Sequence, residues 1–487
     1  MLVFFARPNN SHAASSPDLN ADGCVDQSDY DLFVSYANVS PKNILGDLTG
    51  DSKVDPKDLA VIMKNWQTNC VGANSSKLKH IWQGDLGSVG ASKITFMAQH
   101  MDVVITKIDG CSSNQGANVA SLKSQAAAAG RSITVLQYFK FAGTHTANSP
   151  VDSLCQAPPF AADFINQNLM WMSPDGTPYV DATNLWYYAA LQDSTKRNAY
   201  INLIVPYLKD QLANYQIDGF FFDNAMLLGS SETSHLVNGS YVVGRPADYN
   251  AQALWDGKYA VVSALRQDAT LAHAKIYANN FWNKPYIPGN PNNDPNNAFQ
   301  QIMDRLQFYQ VANGILRERP FWQEQNGFPE CFDKMEISLD ILSSVTKSLG
   351  DVLLYAYGTD TVGRIYSLAS ALTINHGNVL YLAGPLGSNN YFPEYDIDLG
   401  APTNDTTNPQ NDLYVRDFAN GKTVVYTKAN SCGTQGSTTY NIGSGYEMLT
   451  GFTGTGTYTD IGTMTWTAAP TTITLDAAHP AYVLRKP

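Results

Sequence analysis

The sequence is short of charge. Asp, Glu, Lys and Arg make up 15% of its 487 residues, and 43 acids against 31 bases leave a net charge of −12. No cluster of Lys and Arg stands out, which argues against a nucleic-acid binder, because phosphate affinity comes mainly from grouped cations. No apolar run approaches the ~20 residues that a helix needs to cross a bilayer. The six cysteines (Cys24, Cys70, Cys111, Cys155, Cys331 and Cys432) form no Cys-x-x-Cys pair, so zinc-ribbon and dithiol redox chemistry lack their signature. A Gly-x-Ser-x-Gly elbow and a His pair at metal-ligand spacing are absent too, which weakens serine-esterase and metallohydrolase readings. What the chain has instead is 44% hydrophobic and 11% aromatic residues, with many amides. That mixture suits uncharged, hydroxyl-rich ligands. At roughly 100–200 residues per domain, or about 250 for one α/β barrel, the length implies two or three domains with ample core.

The opening Met1-Leu-Val-Phe-Phe-Ala6, followed by small residues from Ser11 to Ser16, reads as the remnant of an export signal that lacks a basic start. An even number of widely spaced cysteines fits an exported, disulfide-containing protein. Fifteen connectivities are open for six cysteines, and a Cys24–Cys70 bridge is one that would tie the ends of the first domain together. The expected location is secreted or cell-surface associated.

One internal repeat is clear. Asp18-Leu-Asn20-Ala-Asp22-Gly23-Cys-Val-Asp26-Gln-Ser-Asp29 returns 29 residues later as Asp47-Leu-Thr49-Gly-Asp51-Ser-Lys-Val-Asp55-Pro-Lys-Asp58. Oxygen side chains fall at loop positions 1, 3, 5, 9 and 12 of each copy. Calcium takes about six to eight oxygens at ~2.3–2.6 Å, and a tight loop with alternating acidic positions wraps them round one ion. An amphipathic helix is expected after each loop, with Tyr30, Leu32, Phe33 and Tyr36 on the first and Leu59, Ile62, Met63 and Trp66 on the second. The pair resembles the dockerin module over about residues 17–70, with Ser52 where a Gly is preferred. That resemblance implies structural calcium and a cohesin-type protein as partner. The plainer reading is a calcium-stapled stability module with no partner.

After the polar linker the texture changes to short apolar runs separated by helical periods. The runs are His80–Asp85, Asp102–Lys107, Ile133–Phe139, Gly219–Asp223, Lys275–Asn280, Gly314–Glu318, Val352–Tyr357 and Val379–Ala383, with helices expected at Arg197–Tyr215, Asp248–Asp268, Asn297–Gln310 and Asp333–Lys347. Eight β-then-α units specify an α/β fold of the (β/α)8 TIM-barrel type. Beyond about residue 410, alternating Thr-, Tyr- and Val-rich runs predict a small antiparallel β-sandwich that covers the barrel. The expected division is an export remnant or disordered tail at 1–16, a calcium module at 17–70, a linker at 71–79, the barrel at 80–405 and the sandwich at 406–487.

Barrel chemistry comes from the C-terminal ends of strands. Ile217-Asp218-Gly219-Phe220-Phe221-Phe222-Asp223-Asn224 puts a carboxylate where a buried strand must surface, and burying one there is costly unless it is paired or solvated. Asp223 is therefore the first catalytic candidate, a helix N-cap being the alternative, while Asp218 at the opposite end reads as a structural cap. Glu318, in Gly314-Ile-Leu-Arg317-Glu318-Arg319-Pro320, is the second, with a structural ion pair to Arg317 or Arg319 as its alternative. Asp85 and Asp109 are rivals, and Asp360 could assist binding. Glycoside hydrolysis needs two such groups flanking the scissile bond. Around them Gln83, Lys107, Gln137, Tyr138, Lys140, Asn224, Asn279, Asn280 and Tyr357 can bond hydroxyls. Trp186, Trp282 and Trp322, expected in the following loops, offer faces for pyranose rings.

The segment from Asn198 to Asn224 resembles the fourth-strand region of α-glycosidase-type barrels. The wider chain from about residue 78, with Arg317-Glu318-Arg319-Pro320 and Tyr414-Val-Arg-Asp-Phe-Ala-Asn-Gly421, resembles glycosyl-hydrolase-like family fifteen. The resemblance implies a nucleophilic Asp223, an acid/base Glu318 and retention of configuration. The α-amylase pattern has Glu on the fifth strand, where this chain has Asn279-Asn280. The function expected is cleavage of a neutral polysaccharide; a non-catalytic carbohydrate-binding or adhesion protein and a transglycosylase are the alternatives.

Overall fold

The computed structural model describes residues 17, 19, 25, 29, 30, 33, 47–49, 54, 56–64, 77–107, 114–141, 143–145, 158–181, 186–223, 233–237, 240–243, 248, 250–279, 311–318, 322–325, 328–332, 350–356, 360–383, 391–429 and 436–487. Eight strands, β1 (Lys79–Gly84), β2 (Val103–Thr106), β3 (Thr134–Lys140), β4 (Gly219–Asp223), β5 (Lys275–Asn279), β6 (Gly314–Glu318), β7 (Asp351–Ala356) and β8 (Val379–Ala383), close into a barrel. All neighbours are parallel, and β8 returns to β1 through Lys79–Leu380 and His80–Tyr381. Each expected apolar run becomes one of these strands, with its ends displaced by no more than one residue. Gly219 opens β4 because a Cβ there would stand 1.9 Å from the Lys275 carbonyl oxygen of β5. Among the described residues no helix is long and apolar enough to cross a membrane.

Strand alternation sends every second side chain to the barrel axis. Ile81, Ile105, Leu136, Phe221, Tyr277, Leu316, Leu353, Tyr355 and Leu380 fill it as one apolar cluster. Phe220 and Phe222 point the other way and are buried under the outer layer, which is why β4 is apolar on both faces. At the N-terminal end, Tyr277 donates to Asp351, which also pairs with Lys79 at 3.2 Å. There too Asp218 clasps two elements, accepting from Lys123 at 2.7 Å and from the Val135 amide at 2.8 Å.

Outside the barrel, helices Ala91–His100, Gln115–Ala128, Ser194–Tyr215, Ala251–Gln267 and Thr361–Ile374 follow β1, β2, β3, β4 and β7. The expected helices at 297–310 and 333–347 lie outside the described residues, and so do residues 1–16 and the linker from 71 to 76. A five-stranded antiparallel sheet was not expected. It joins Gly143–His145, Trp186–Tyr188, Val180–Asp181, Thr233–Val237 and Ser240–Val243, from the long connections after β3 and β4. Trp322, expected in a loop, begins the strand Trp322–Gln325 of a hairpin.

The tail forms a six-stranded and a two-stranded antiparallel sheet. Its strands Thr407–Gln410 and Met464–Ala468 were not foreseen, since neither shows a buried apolar stripe. The sheet docks on the helix Thr361–Ile374, which is buried almost all round from Tyr366 to Ile374. Helix C-termini carry partial negative charge and leave carbonyls unpaired. Here the buried Arg416 donates to the carbonyls of Thr373 at 2.9 Å and Asn375 at 2.7 Å. On the same helix Arg364 grips the fully buried Glu394 through two bonds, of 2.8 and 2.6 Å, with its guanidinium 3.9 Å from the Phe452 ring centroid.

The N-terminal repeat has a structural counterpart. The Leu19 amide donates to Asp29 Oδ1 at 2.6 Å, and at the equivalent place the Leu48 amide donates to Asp58 Oδ1 at 2.8 Å. Thr49 Oγ1 lies 3.0 Å from Asp58 Oδ1 and 3.4 Å from Asp47 Oδ1, so loop positions 1, 3 and 12 converge. Asp29, Asp47 and Asp58 are all buried. The second helix is Pro56–Lys64, with Ile62 and Met63 in the core. Asp18, Asn20, Asp22, Asp26, Asp51 and Asp55 lie outside the described residues. Among those described, no three His, Cys, Asp or Glu side chains group as a metal site.

Removing one partner of a buried ion pair strands the other, at a cost of about 3–5 kcal/mol. Arg364→Met should therefore destabilise the protein by about that much in urea unfolding, and adding Glu394→Met should recover most of the loss. Equal loss in the single and double variants would show that the pair is not the cause.

Candidate active site

Asp223 ends β4 at the C-terminal mouth of the barrel, half-buried. Its two oxygens are held from the neighbouring strands on either side. Tyr138 of β3 donates its hydroxyl to Oδ2, and Asn279 of β5 donates Nδ2 to Oδ1 at 2.9 Å. The pairing of Tyr138 with Phe221 and of Ala278 with Phe222 sets these groups level with the end of β4. Asn279 is buried, so the amide is fixed before any ligand arrives. Asp223 is thus oriented as an acceptor by two neighbours rather than used as a helix cap.

Two lysines stand at the ends of the strands beside it. Lys107, immediately after β2, places its ammonium 5.8 Å from the Tyr138 ring centroid, and Lys140, paired in register with Asp223, lies 4.5 Å from that of Trp186. Trp186 is in the antiparallel sheet, not in a loop, and is buried beneath Lys140. Across the barrel Gln83 accepts from Tyr355 of β7. Tyr355 is the register neighbour of Glu318, whose backbone ends β6 two residues beyond the inward-packed Leu316. The side chain of Glu318 lies outside what the structure describes, as do Asp109, Asn224, Asn280, Trp282, Arg319 and Tyr357.

Two carboxylates expected near the ligand are occupied structurally. Asp85 accepts from the Gly87 amide at 2.9 Å, capping a short helical turn, and from Gln115 at 2.7 Å. Asp360 caps the helix Thr361–Ile374 by accepting from the Gly363 amide at 2.6 Å. Gln137 points outward to Tyr207, at 3.0 Å. Conversely, sequence reasoning missed the grip of Tyr138 and Asn279 on Asp223, and the place of Tyr355 at the mouth. Strand alternation carried the signal for the last, since Tyr355 is two residues before Tyr357.

No protein-family model matches the chain, and no curated protein matches it. Among solved structures, a BuGH86 variant in complex with neoagarooctaose is 8% identical over 84% of this chain and 74% of its own, with a TM-score of 0.43. The Nostoc punctiforme debranching enzyme is 11% identical over 83% of this chain and 89% of its own, with a TM-score of 0.35. The Legionella pneumophila ChiA C-terminal domain is 11% identical with a TM-score of 0.25, and 58% of this chain spans 59% of it. At these values the likenesses carry no information about reaction or substrate.

If Asp223 works in the orientation its neighbours impose, Tyr138→Phe and Asn279→Ala should each lower turnover of any substrate, by up to about 10²-fold for a misplacement near 1 Å. Steady-state kinetics on variants with wild-type melting temperatures check this. Unchanged kcat in both would show that neither bond positions the carboxylate.

Proposed function

We propose that this chain is an exported glycoside hydrolase that cleaves a neutral polysaccharide, with Asp223 as nucleophile and Glu318 as acid/base. The observation that carries the reading is the carboxylate at the barrel mouth, gripped on both oxygens by Tyr138 and Asn279. A nucleophile must present one lone pair along a fixed line to the anomeric carbon, and a carboxylate fixed from two sides does so at little entropic cost. Glu318 would protonate the departing glycosidic oxygen while an Asp223 oxygen bonds the anomeric carbon. Water, deprotonated by Glu318, would then release the sugar with retained configuration. Lys107, Lys140 and Gln83 would meet hydroxyls rather than charges. The departure from the amylase pattern is functional in this reading, since Asn279 holds the nucleophile.

Wild type, Asp223→Asn and Glu318→Gln should be compared on α- and β-glucans, galactans and mannans. Each variant is expected to lose on the order of 10³-fold or more in kcat. Retained activity in either removes its role, and a wild type that binds one of these polymers but releases no sugar makes the protein a non-catalytic binder.

We infer further that the repeated loops each hold one calcium ion that stiffens the N-terminal module. Support comes from the convergence of Asp47, Thr49 and Asp58, and from carboxylates buried with hard oxygen neighbours. Calcium at 100 times its dissociation constant should stabilise the module by about 2.7 kcal/mol, and Asp58→Ala should reduce two bound ions to one by calorimetry. No heat of binding and no shift in melting would remove the loops from this role.

A further inference from the structure

Large apolar side chains stand exposed at only two described positions, Ile165 and Tyr458. Tyr458 sits on a turn of the C-terminal sheet that is firmly built. Thr457 and Asp460 exchange backbone bonds across it, and Asp460 Oδ2 accepts from the Thr455 amide at 2.9 Å and from its hydroxyl at 3.0 Å. Gly456, at φ +68°, lets the turn lie against Phe392, where a Cβ would approach the ring to 2.3 Å. The Tyr458 ring is therefore held in place while 36% of the residue faces solvent.

The ring leans over the connection after β1. There Lys93 places its ammonium 5.8 Å from the Tyr458 centroid and 5.6 Å from that of Trp82. Among the described residues no carboxylate pairs with it, and burial pushes the amine down to about 8. Ser88, Gly90, Ser92, Lys93 and Tyr458 line a cleft of about 250 Å³. Small-molecule sites run from about 300 Å³ upward, so this one suits a single ring rather than an oligomer. Ser88 Oγ gives its proton to the Asp85 carbonyl at 2.8 Å and so offers lone pairs, while Ser92 and Lys93 supply donors. The cleft is built from the segment that joins β1 to the helix Ala91–His100, the first residues of that helix, and Tyr458.

We propose that this cleft is a second carbohydrate site, which holds one pyranose unit of a neutral polysaccharide against the face of Tyr458. The proposal rests on the glycoside-hydrolase reading above and names where a polymer is gripped away from the reacting bond. A neutral ring fits better than an acidic one. Lys93 already faces two aromatic rings, and among the described residues no second cation lines the cleft to form a carboxylate-binding pair.

The test is affinity electrophoresis of the full chain in gels containing the neutral polysaccharide that wild type hydrolyses, with polygalacturonate as the acidic comparison. Asp223→Asn should still be retarded, and adding Tyr458→Ala should weaken retardation about three- to tenfold. Tyr458→Phe should keep it. In a second measurement on the wild type, the polysaccharide should slow reductive methylation of Lys93 followed by peptide mass mapping. Retardation indifferent to Tyr458→Ala, an effect confined to polygalacturonate, or methylation of Lys93 unprotected by the polysaccharide overturns the proposal. If wild type neither cleaves nor binds any polymer, the parent reading falls with it. If Asp223→Asn loses hydrolysis while Tyr458→Ala changes nothing, only the second site falls.

Discussion

Closing eight parallel strands on themselves leaves half of their side chains nowhere to go but the barrel axis, and the candidate site depends on that constraint. The axis fills in levels. Tyr277 and Asp351 close the bottom, Phe221, Leu316 and Leu353 pack the middle, and at the top alternation brings Tyr138, Asp223 and Asn279 together. Asp223 follows Phe221 by one alternation, and Tyr138 and Asn279 reach it because parallel register sets neighbouring strands level. A one-residue slip of β4 would turn Asp223 outward and bring Phe222 to the axis. The carboxylate is therefore placed by hydrophobic packing below it, before any hydrogen bond to its own oxygens.

The strands were legible because they are buried on both faces and so read as unbroken apolar runs, as in Phe220-Phe221-Phe222. The antiparallel sheet over the long connections was not. Val180–Asp181 and Trp186–Tyr188 are too short to show a period, and pairing such as that of Val180 with Ser234 joins segments far apart in the chain. The carboxylates show a second limit. In a β-then-α unit the end of the strand is followed closely by the start of a helix, so a carboxylate there is placed to serve either as a catalytic group or as a cap. Asp223 turned out to be held by Tyr138 and Asn279, whereas Asp85 and Asp360 cap the turns that follow them. Sequence position alone does not separate these cases, because the deciding partners lie on other strands.

The C-terminal sheet is tied to the barrel by more than apolar contact. Its Arg416 completes the C-terminus of the helix Thr361–Ile374, Thr406 adds a bond of 2.7 Å to the Thr373 carbonyl, and Thr423 meets Thr373 at 2.9 Å. These polar links fix one seating of the sheet on a helix that is otherwise a smooth apolar surface. The same seating brings the turn of Tyr458 against the helix that follows β1.

The double burial of the helix Thr361–Ile374 also orders events as the chain is made. β1 has no partner on one side until β8 is synthesised, and this helix keeps a bare apolar face until Ala481–Arg485 arrives to cover it. Contacts so distant in sequence fold slowly and leave adhesive surface open in the meantime. From the completion of this helix until that last strand emerges, the nascent chain therefore carries an exposed, largely apolar surface, and chaperone dependence should concentrate on that face.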